Sequence, residues 1–306
     1  MSLGSFERDD VGDFPTPVEE VTGLGIWAKR EDRSHTLYGG NKVRKLAYLL
    51  PEARRRGGDM LTLGATGSHH LLACSLHGKR FGVRTHALVL PQPSTPHVEK
   101  NWSRLQLEAA SITMVPKEIL LPLAAIDAAE KVHRSHGRWP YFVWAGGSTP
   151  LGSLGWVEGG LELGQQVKRG ECPEPTDLFA ALGSGGTVAG LLVGLQMAGL
   201  STRLHAVRVV DRAFANRSIV LALARSAGRR LGVRVDGERL RVWHSEFGGG
   251  YGVPTESGNR AMDLGREHGL SLEPTYTAKT LAAALSWRQE GRVVMFLDSL
   301  SSATMV

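Results

Sequence analysis

The feature that most constrains the fold of this chain is an alternation between short apolar runs and longer segments with helical spacing of apolar residues. The apolar runs have the length of β-strands and lie at 60–65, 83–90, 112–115, 141–145, 178–182, 204–210, 240–244 and 293–298. Helical spacing occurs near 42–56, 68–78, 96–110, 119–136, 153–168, 187–199, 213–230, 255–268 and 279–288. This alternation predicts an α/β protein with parallel sheets.

The length of the chain predicts more than one domain. A chain of 306 residues exceeds what one hydrophobic core usually supports, so we expect two domains around a cleft. The segment 168–177 has the proline and charge content of a linker and separates four predicted strands from four more, which places a boundary there. Open parallel sheets bind ligands beyond the carboxyl ends of their strands. Residues that directly follow strands are therefore the candidates for function.

Composition and charge exclude several classes of protein. The 36 Lys and Arg residues exceed the 30 Asp and Glu residues by six and are spread along the chain, which does not indicate a nucleic-acid partner. No apolar run reaches the 18 residues of a membrane span. The two cysteines are too few for a disulfide framework, and no signal peptide opens the chain. We therefore expect a cytoplasmic protein without a membrane partner.

A glycine-rich loop is the clearest candidate for phosphate binding. Gly183-Ser184-Gly185-Gly186-Thr187 follows an apolar strand and precedes a helix, where backbone N–H groups and the helix N-terminus favour an anion. The loop is not a Walker motif, and Val188 stands where a dinucleotide-binding motif has its third glycine. The loop fits a single phosphate, and a plain tight turn is the alternative interpretation.

A lysine at the start of a predicted helix is the second candidate. In Gly39–Leu46, Asn41 is the expected N-cap and an apolar stripe begins at Val43. At 100° per residue, Lys42 lies about 80° and Lys45 about 140° from the centre of that stripe, so Lys42 is predicted to face the interior. The helix N-terminus and partial burial both favour the free amine that a Schiff-base lysine requires. A solvated lysine is the alternative.

Further loops contain hydroxyl and imidazole groups. Ser68 follows Gly64 and Gly67, where it can cap a helix and leave N–H groups for a carboxylate. His69 and His70 are adjacent on that helix and point about 100° apart, so no metal site is expected. Tyr251 lies among the glycines of 248–252, and Tyr276 lies near Lys279. Each tyrosine also has a purely structural interpretation.

The order of these motifs resembles the family of 1-aminocyclopropane-1-carboxylate (ACC) deaminase and D-cysteine desulfhydrase. These are pyridoxal 5′-phosphate (PLP) enzymes of the tryptophan synthase β fold group. The resemblance runs from Phe14 to the last strand and rests on six segments: Lys29–Asp32, Gly39–Leu46, Gly146–Ser148, Gly183–Thr187, Tyr251–Pro254 and Pro274–Thr277.

The resemblance implies a cofactor, a fold and a set of site residues. Lys42 is expected to bind PLP covalently, with Ser68, Tyr251 and Tyr276 beside the substrate. Further contacts to the cofactor are expected from Asn41, His69, Gly183, Ser184, Gly185, Gly186, Thr187 and Ser299. The resemblance also implies two open parallel-sheet domains with PLP in the cleft between them, and commonly a homodimer. The small domain spans 45–165, and the large domain spans 1–44 and 166–306.

The glycine content agrees with such a site. Glycine makes up 38 of 306 residues, about 12% against a usual share of about 7%. About a dozen lie in five clusters, at 39–40, 64 and 67, 146–147, 183–186 and 248–252. Each cluster adjoins a candidate residue or a family motif. We therefore expect the five loops to converge on one phosphate-bearing cofactor.

Three positions depart from the family pattern. Thr277 stands where the deaminases have an acidic residue that pairs with the pyridine nitrogen of PLP, as in the desulfhydrases. Ser299 is the best neutral partner for that nitrogen, and Asp298 is its rival. His69 replaces the family asparagine that bonds the phenolic oxygen of PLP, so it is expected to donate that bond and to titrate near neutrality.

These residues favour a lyase that acts on a small amino acid by α,β-elimination, releasing a thiol, pyruvate and ammonia, as in D-cysteine desulfhydrase. Ring opening of ACC is the alternative, disfavoured by Thr277, and another PLP chemistry is a third. From a different class, an NAD-binding oxidoreductase is prompted by Asp211, which follows the strand after the glycine loop. A PLP carrier without activity is prompted by His69 and by the segment 298–302.

Overall fold

The computed structural model describes residues 3–4 and 6–301. Its strands are β1 (Val18–Val21), β2 (Ile26–Arg30), β3 (Asp59–Ala65), β4 (Arg84–Leu90), β5 (Ser111–Met114), β6 (Tyr141–Val143), β7 (Asp177–Leu182), β8 (Arg203–Arg208), β9 (Leu240–Trp243) and β10 (Val294–Asp298). Its α-helices are α1 (Lys42–Arg55), α2 (His69–Arg80), α3 (Pro96–Glu108), α4 (Leu121–His136), α5 (Pro150–Lys168), α6 (Gly186–Met197), α7 (Arg217–Arg230), α8 (Glu256–Glu267) and α9 (Thr277–Ser286).

The strands form two sheets, as the alternation of elements predicts. The smaller sheet has the order β5-β4-β3-β6 and is parallel throughout. The larger sheet has the order β1-β2-β10-β7-β8-β9, in which only β1 is antiparallel to its neighbour. The α/β fold with two sheets of mainly parallel strands is therefore confirmed.

Two strands near the start of the chain escaped prediction. β1 and β2 are short, and β2 ends in Lys29 and Arg30, which do not read as an apolar run. Both side chains are nevertheless buried, because acidic groups face them. Since β1 and β2 belong to the larger sheet, a single boundary at 168–177 does not divide the strands. The domain limits at residues 45 and 165 stay a prediction.

Helix α1 contacts α5, α2 and strand β3 of the smaller sheet. Its residues from Val43 to Pro51 are all buried, so neighbouring elements cover more than one face of the helix. α5 in turn packs against α6 at very short range. A Cβ on Gly160 would lie 2.6 Å from the backbone of Gly194, so these two glycines let the helix axes approach. Part of the glycine excess therefore serves helix packing and not the loops. Within the described residues, no helix has the length and apolarity needed to cross a membrane.

A buried network of charges joins β2, α1 and α5. Nη2 of Arg44 lies 2.8 Å from Oε1 of Glu31 and 2.8 Å from Oε1 of Glu162, and Nζ of Lys29 lies 2.5 Å from the same Glu162 oxygen. Arg44 and Lys29 lower the pKa of Glu162 to about 2. Because Arg44 lies in the first turn of α1, the network fixes the start of the helix that begins at Lys42.

Candidate active site

A chain of hydrogen bonds links Lys42 to the glycine-rich loop. Nζ of Lys42 donates to Oδ1 of Asn41 over 2.7 Å, and Nδ2 of Asn41 donates to the hydroxyl of Thr187 over 3.2 Å. Burial lowers the pKa of Lys42 to about 8, although Glu273 and Cys74 act in the opposite direction. The structure thus brings the candidate Schiff-base lysine and the candidate phosphate loop together, from segments about 145 positions apart.

The backbone around Lys42 is held by the end of β10. The N–H of Asn41 donates to the carbonyl of Ser299 over 3.2 Å. Gly40 has φ +90°, and a Cβ there would lie 2.7 Å from the same carbonyl, so only glycine fits without strain. The indole N–H of Trp156 donates to the carbonyl of Asn41. These contacts fix the direction in which Lys42 leaves the backbone.

The glycine-rich loop connects β7 to α6, and Ser148 forms hydrogen bonds with it. The hydroxyl of Ser148 accepts the N–H of Gly186 over 2.9 Å and lies 2.7 Å from the hydroxyl of Ser184. A Cβ at Gly186 would lie 2.6 Å from Oγ and 2.9 Å from Cα of Ser148. The N-terminal N–H groups of a helix lack intrahelical acceptors, so this turn can bind an anion.

Lys45 is also buried, which corrects the angular prediction. Its side chain is 2% exposed, and Nζ donates to the carbonyl of Gly146 over 2.8 Å. Nζ lies 3.0 Å from the position of a Cβ at Gly186, so it adjoins the phosphate loop. Burial lowers the pKa of Lys45 well below its usual value. The apolar stripe placed Lys45 outward because α1 was treated as a helix with one buried face, whereas neighbouring elements cover α1 on several sides.

Ser68 is the N-cap of α2, as predicted. Its hydroxyl oxygen accepts the N–H of Leu71 over 3.3 Å, which leaves its proton free to donate. The loop that precedes Ser68 forms hydrogen bonds with α3 and with the segment just before α3. The N–H of Gly67 donates to Oε1 of Gln92, and the carbonyl of Gly67 accepts from Nδ2 of Asn101. Ser68 therefore sits on a fixed loop at the carboxyl end of β3.

His69 is hydrogen-bonded at both ring nitrogens. Nδ1 lies 2.5 Å from the hydroxyl of Tyr38, and Nε2 lies 2.8 Å from Nε2 of His97. Burial, His97 and Lys42 lower the pKa of His69 well below its usual value. The expectation that His69 titrates near neutrality is therefore wrong. A bond from His69 to the phenolic oxygen of the cofactor would require that one of its two present partners be given up.

The two candidate tyrosines meet, although 25 positions separate them. Their hydroxyls lie 2.8 Å apart, and Cε1 of Tyr276 lies 3.4 Å from the position of a Cβ at Gly183. Burial raises the pKa of both phenols, so each remains neutral. The buried carboxylate of Glu273 accepts the N–H groups of Thr275, Tyr276 and Thr277. These bonds fix Tyr276 at the start of α9.

Ser299 and Asp298 lie in different surroundings. The carbonyl of Ser299 adjoins Asn41, whereas the carboxyl group of Asp298 lies 3.9 Å from Arg30 and beside Asp32. Neither oxygen of Asp298 has a hydrogen-bond partner in the described part of the chain, and burial raises its pKa well above the usual value. The hydroxyl of Thr277 accepts the N–H of Glu273 over 2.9 Å, so it is engaged by the turn that precedes α9.

Comparison with known proteins assigns this arrangement to a family. A family model described as pyridoxal-phosphate dependent enzyme matches residues 10–297. The chain belongs to this family. PLP is accordingly its cofactor, and the chain is a PLP-dependent enzyme of the lyase or deaminase type.

Individual relatives cover nearly the whole chain. D-cysteine desulfhydrase of Klebsiella pneumoniae subsp. pneumoniae is 32% identical over 297 residues, which are 93% of this chain and 89% of the relative. D-cysteine desulfhydrase of Salmonella paratyphi A is 32% identical over 295 residues, with coverage of 92% and 89%. The solved structure of an ACC deaminase homologue superposes with a TM-score of 0.87 at 26% identity, covering 98% of this chain and 94% of that one.

The residues present fit PLP. Lys42 has a half-buried amine with a lowered pKa, and Asn41 links this amine by hydrogen bonds to the hydroxyl of Thr187. Thr187 lies in the first turn of α6, where a Cβ on Gly186 would collide with Ser148. An aldehyde and a phosphate on one ring match that pair of groups. The family match also removes the reason to expect NAD. Asp211, which prompted that alternative, accepts the N–H of Ala213 in a turn.

Sequence reasoning missed several polar residues of this region. Tyr38, His97 and Glu273 belong to none of the glycine motifs, and Ser148 was noted only as part of one. Glu273 lies four residues before the first residue of α9, and its carboxylate accepts the N–H groups at the start of that helix. Tyr38 and His97 gave no signal, because their partner is His69 and the pairing depends on tertiary structure.

A second polar cluster lies at the other end of the smaller sheet. Asp59, His86 and His136 place one ligand atom each within 4.8 Å of one another. Arg84 pairs with both carboxylate oxygens of Asp59, at 2.8 and 2.7 Å. Arg84 therefore neutralises the carboxylate of Asp59, and this ion pair joins the first residues of β3 and β4.

Proposed function

We propose that the chain catalyses α,β-elimination from a small amino acid such as D-cysteine, with a thiol, pyruvate and ammonia as products. Two hydrogen bonds carry the proposal, from Lys42 to Asn41 and from Asn41 to Thr187, because they set a half-buried amine beside the phosphate loop. The identity of 32% to D-cysteine desulfhydrases over most of the chain supports the substrate class.

When bound, PLP supplies an electron sink for the α-carbon of the substrate. The chain's own groups hold the phosphate and move protons. The loop Gly183–Thr187 binds the phosphate, with Ser148 and Lys45 behind it. Nζ of Lys42 accepts the α-proton, since its lowered pKa leaves a substantial fraction of free amine near neutral pH.

The neutral hydroxyl groups serve the substrate. Ser68 retains a donor proton at the N-terminus of α2, where a carboxylate is favoured. The phenols of Tyr251 and Tyr276 form a hydrogen-bonded pair that can donate a proton to a departing thiolate. Breaking the bond from Cβ to sulfur releases the thiol, and water converts the remaining three-carbon fragment to pyruvate and ammonia. Each atom of cysteine and water is thereby accounted for.

ACC ring opening remains the second candidate, because the ACC deaminase homologue shares the fold closely. Thr277 weighs against it, since its hydroxyl accepts the backbone N–H of Glu273 and no carboxylate occupies that position. We propose that Ser299 is the neutral partner of the pyridine nitrogen. Its backbone adjoins the loop that carries Lys42, whereas Asp298 adjoins Arg30 and Asp32.

The experiment is an assay of PLP-reconstituted protein with D-cysteine, L-cysteine, D-serine and ACC, in which sulfide, ammonia and keto acids are measured. We expect sulfide and pyruvate from cysteine and no product from the Lys42→Ala variant. Lys79→Ala is the matched control, because this lysine is exposed and pairs with Glu108 on the surface. Absence of keto acid from all four compounds would exclude the proposal, and 2-oxobutyrate from ACC alone would favour the second candidate.

A homodimer and a cytoplasmic location belong to the same proposal. Exposed apolar side chains before α4, within α4 and just after β6 support self-association: Ile119 is 82%, Leu123 68% and Trp144 51% exposed. Cys74 and Cys172 are both buried free thiols, as expected in a reducing compartment. Sedimentation equilibrium of the wild type and of Leu123→Lys tests the dimer, which the variant is expected to weaken.

A further inference from the structure

A line of three hydrogen-bonding side chains runs from the loop before α1 to the surface at α3. The hydroxyl of Tyr38 lies 2.5 Å from Nδ1 of His69, and Nε2 of His69 lies 2.8 Å from Nε2 of His97. Tyr38 is 2% exposed, whereas His97 lies in the first turn of α3 and is half-buried. None of the site motifs includes Tyr38 or His97.

Asn101 determines which atoms of this line carry protons. Its side chain contacts the carbonyl of Gly67 at 3.0 Å, and since that carbonyl only accepts, the contacting atom must be the amide nitrogen. The same nitrogen lies 3.2 Å from Nε2 of His97. Asn101 also forms a side-chain hydrogen bond with Tyr38, so the two protons of its amide are shared among three acceptors. Nε2 of His97 is one of these acceptors when it is itself unprotonated.

The remaining protons follow in order. Since Nε2 of His97 is an acceptor, the bond to His69 requires a proton on Nε2 of His69. Nδ1 of His69 is then unprotonated in the neutral ring and accepts from the hydroxyl of Tyr38. This arrangement of protons satisfies the bonds of Tyr38, His69 and His97, and it places the His97 proton on Nδ1. The reverse arrangement, in which Nε2 of His97 and Nδ1 of His69 donate, is the one that the experiment distinguishes from it.

We propose that His97 is a positioning residue of the active site, which holds the ring of His69 neutral and in one tautomer beside Lys42. This inference rests on the placement of the site around Lys42 in the proposed function. His97 contributes no atom to the substrate or cofactor in this role. It supplies the acceptor for the N–H of the half-buried His69, and a half-buried donor that loses its hydrogen bond is destabilised.

The charges around the pair determine its response to pH. Lys42 in α1 faces His69, while Glu273 before α9 and Lys100 in α3 face His97, and Tyr38 bonds the far side of His69. Burial lowers the pKa of both imidazoles. Protonation of His97 puts a hydrogen on Nε2, where His69 and Asn101 already donate. The bond between the rings then requires His69 to move its own proton to Nδ1 and to donate it to Tyr38, so the tautomer of His69 changes when the pH falls below the lowered pKa of His97.

The test compares His97→Gln, which keeps an acceptor oxygen near Nε2, with His97→Leu, which removes it. His268→Leu is the matched control, because this ring bonds only a carbonyl at the exposed end of α8. The readout is the ring-nitrogen chemical shifts of ¹⁵N-histidine-labelled protein, with the signals of His69 identified by their loss in His69→Asn. Far-UV circular dichroism verifies that each variant is folded.

We expect the wild type, His97→Gln and His268→Leu to show His69 with a proton on Nε2 alone. His97→Leu is expected to show exchange between tautomers, and a fall in kcat/KM of about tenfold on whichever amino acid is turned over. An unchanged His69 tautomer in His97→Leu would overturn the inference. The nitrogen shifts do not depend on any substrate, so a protein that turns over none of the tested amino acids leaves this test intact.

Discussion

The amine of Lys42 donates a hydrogen bond over 2.7 Å to the side-chain oxygen of Asn41, the residue that precedes it. Burial lowers the pKa of this amine to about 8 from 10.5. A lysine attacks a carbonyl only as the free amine. We expect the rate at which the apoprotein incorporates PLP to rise with pH with a midpoint near 8, followed by absorbance. A midpoint near that of free lysine, about 10, would show that the amine is solvated.

Asn41 offers a way to change that midpoint. Asn41→Asp keeps an acceptor for Lys42 and adds a negative charge, which stabilises the ammonium form. We expect its midpoint for PLP incorporation to lie above that of the wild type. Asn41→Ala removes the acceptor without adding charge and is expected to leave the midpoint at or below the wild-type value. Equal midpoints in the two variants would show that Asn41 does not act on Lys42.

Two glycines of one loop give a matched pair for phosphate binding. A Cβ at Gly186 would lie 2.6 Å from Oγ and 2.9 Å from Cα of Ser148, and the second contact is with backbone. A Cβ at Gly183 meets only Tyr276, at 3.4 Å, which is ordinary contact. We expect Gly186→Ala to weaken PLP binding at least about tenfold, a loss of about 1.4 kcal/mol. Gly183→Ala is expected to bind within about threefold of the wild type, measured by fluorescence titration.

The sequence predicted the elements better than the surroundings of the site. The glycine loop follows a strand, and Lys42, Ser68 and Tyr276 lie at the start of helices, because parallel sheets gather such positions at one edge. Periodicity placed Lys45 outward, yet it is buried beside Gly186, since periodicity describes one face of a helix and α1 is covered on several. The partners of His69 come from 31 residues before and 28 residues after it, and no local pattern encodes such pairings.

Strand β2 shows the same limit in the fold. Its residues Lys29 and Arg30 are buried only because Glu162, Glu19 and Asp32 neutralise them, and these partners are distant or lie beyond the strand. Strand prediction from apolar runs therefore does not detect β2. By contrast, β7 was found because its six residues contain one charge, at the first position.

The phenol pair predicts a particular pH dependence. Burial raises the pKa of Tyr251 above its ordinary value and that of Tyr276 well above it. We expect any decline of kcat from tyrosine ionisation to begin at a higher pH than an ordinary tyrosine pKa of about 10 would give. Tyr276→Phe is expected to lower kcat by about 100-fold, in the range of acid–base groups, with a smaller effect on KM. An equal effect of Tyr276→Phe on stability and on kcat would indicate a packing role instead.

The charge network at Glu162 predicts a stability difference that depends on pH. The pKa of this carboxyl group is about 2 in the folded protein and 4.5 in the unfolded chain, because Arg44 and Lys29 stabilise the carboxylate. The pairs therefore contribute their full stability above pH 4.5, and the contribution is lost as the pH falls towards 2. A shift of this size corresponds to about 3 kcal/mol. We expect Glu162→Gln to lower the free energy of unfolding by about that amount at pH 7, in urea titrations, and the deficit to shrink below pH 4.5.

Glu130→Gln is the control, since Glu130 pairs with Arg134 on the exposed face of α4. This variant is expected to lose less than about 1 kcal/mol of stability at every pH. A deficit of Glu162→Gln that stays constant from pH 7 to pH 3 would show that its ionisation is not what the network stabilises.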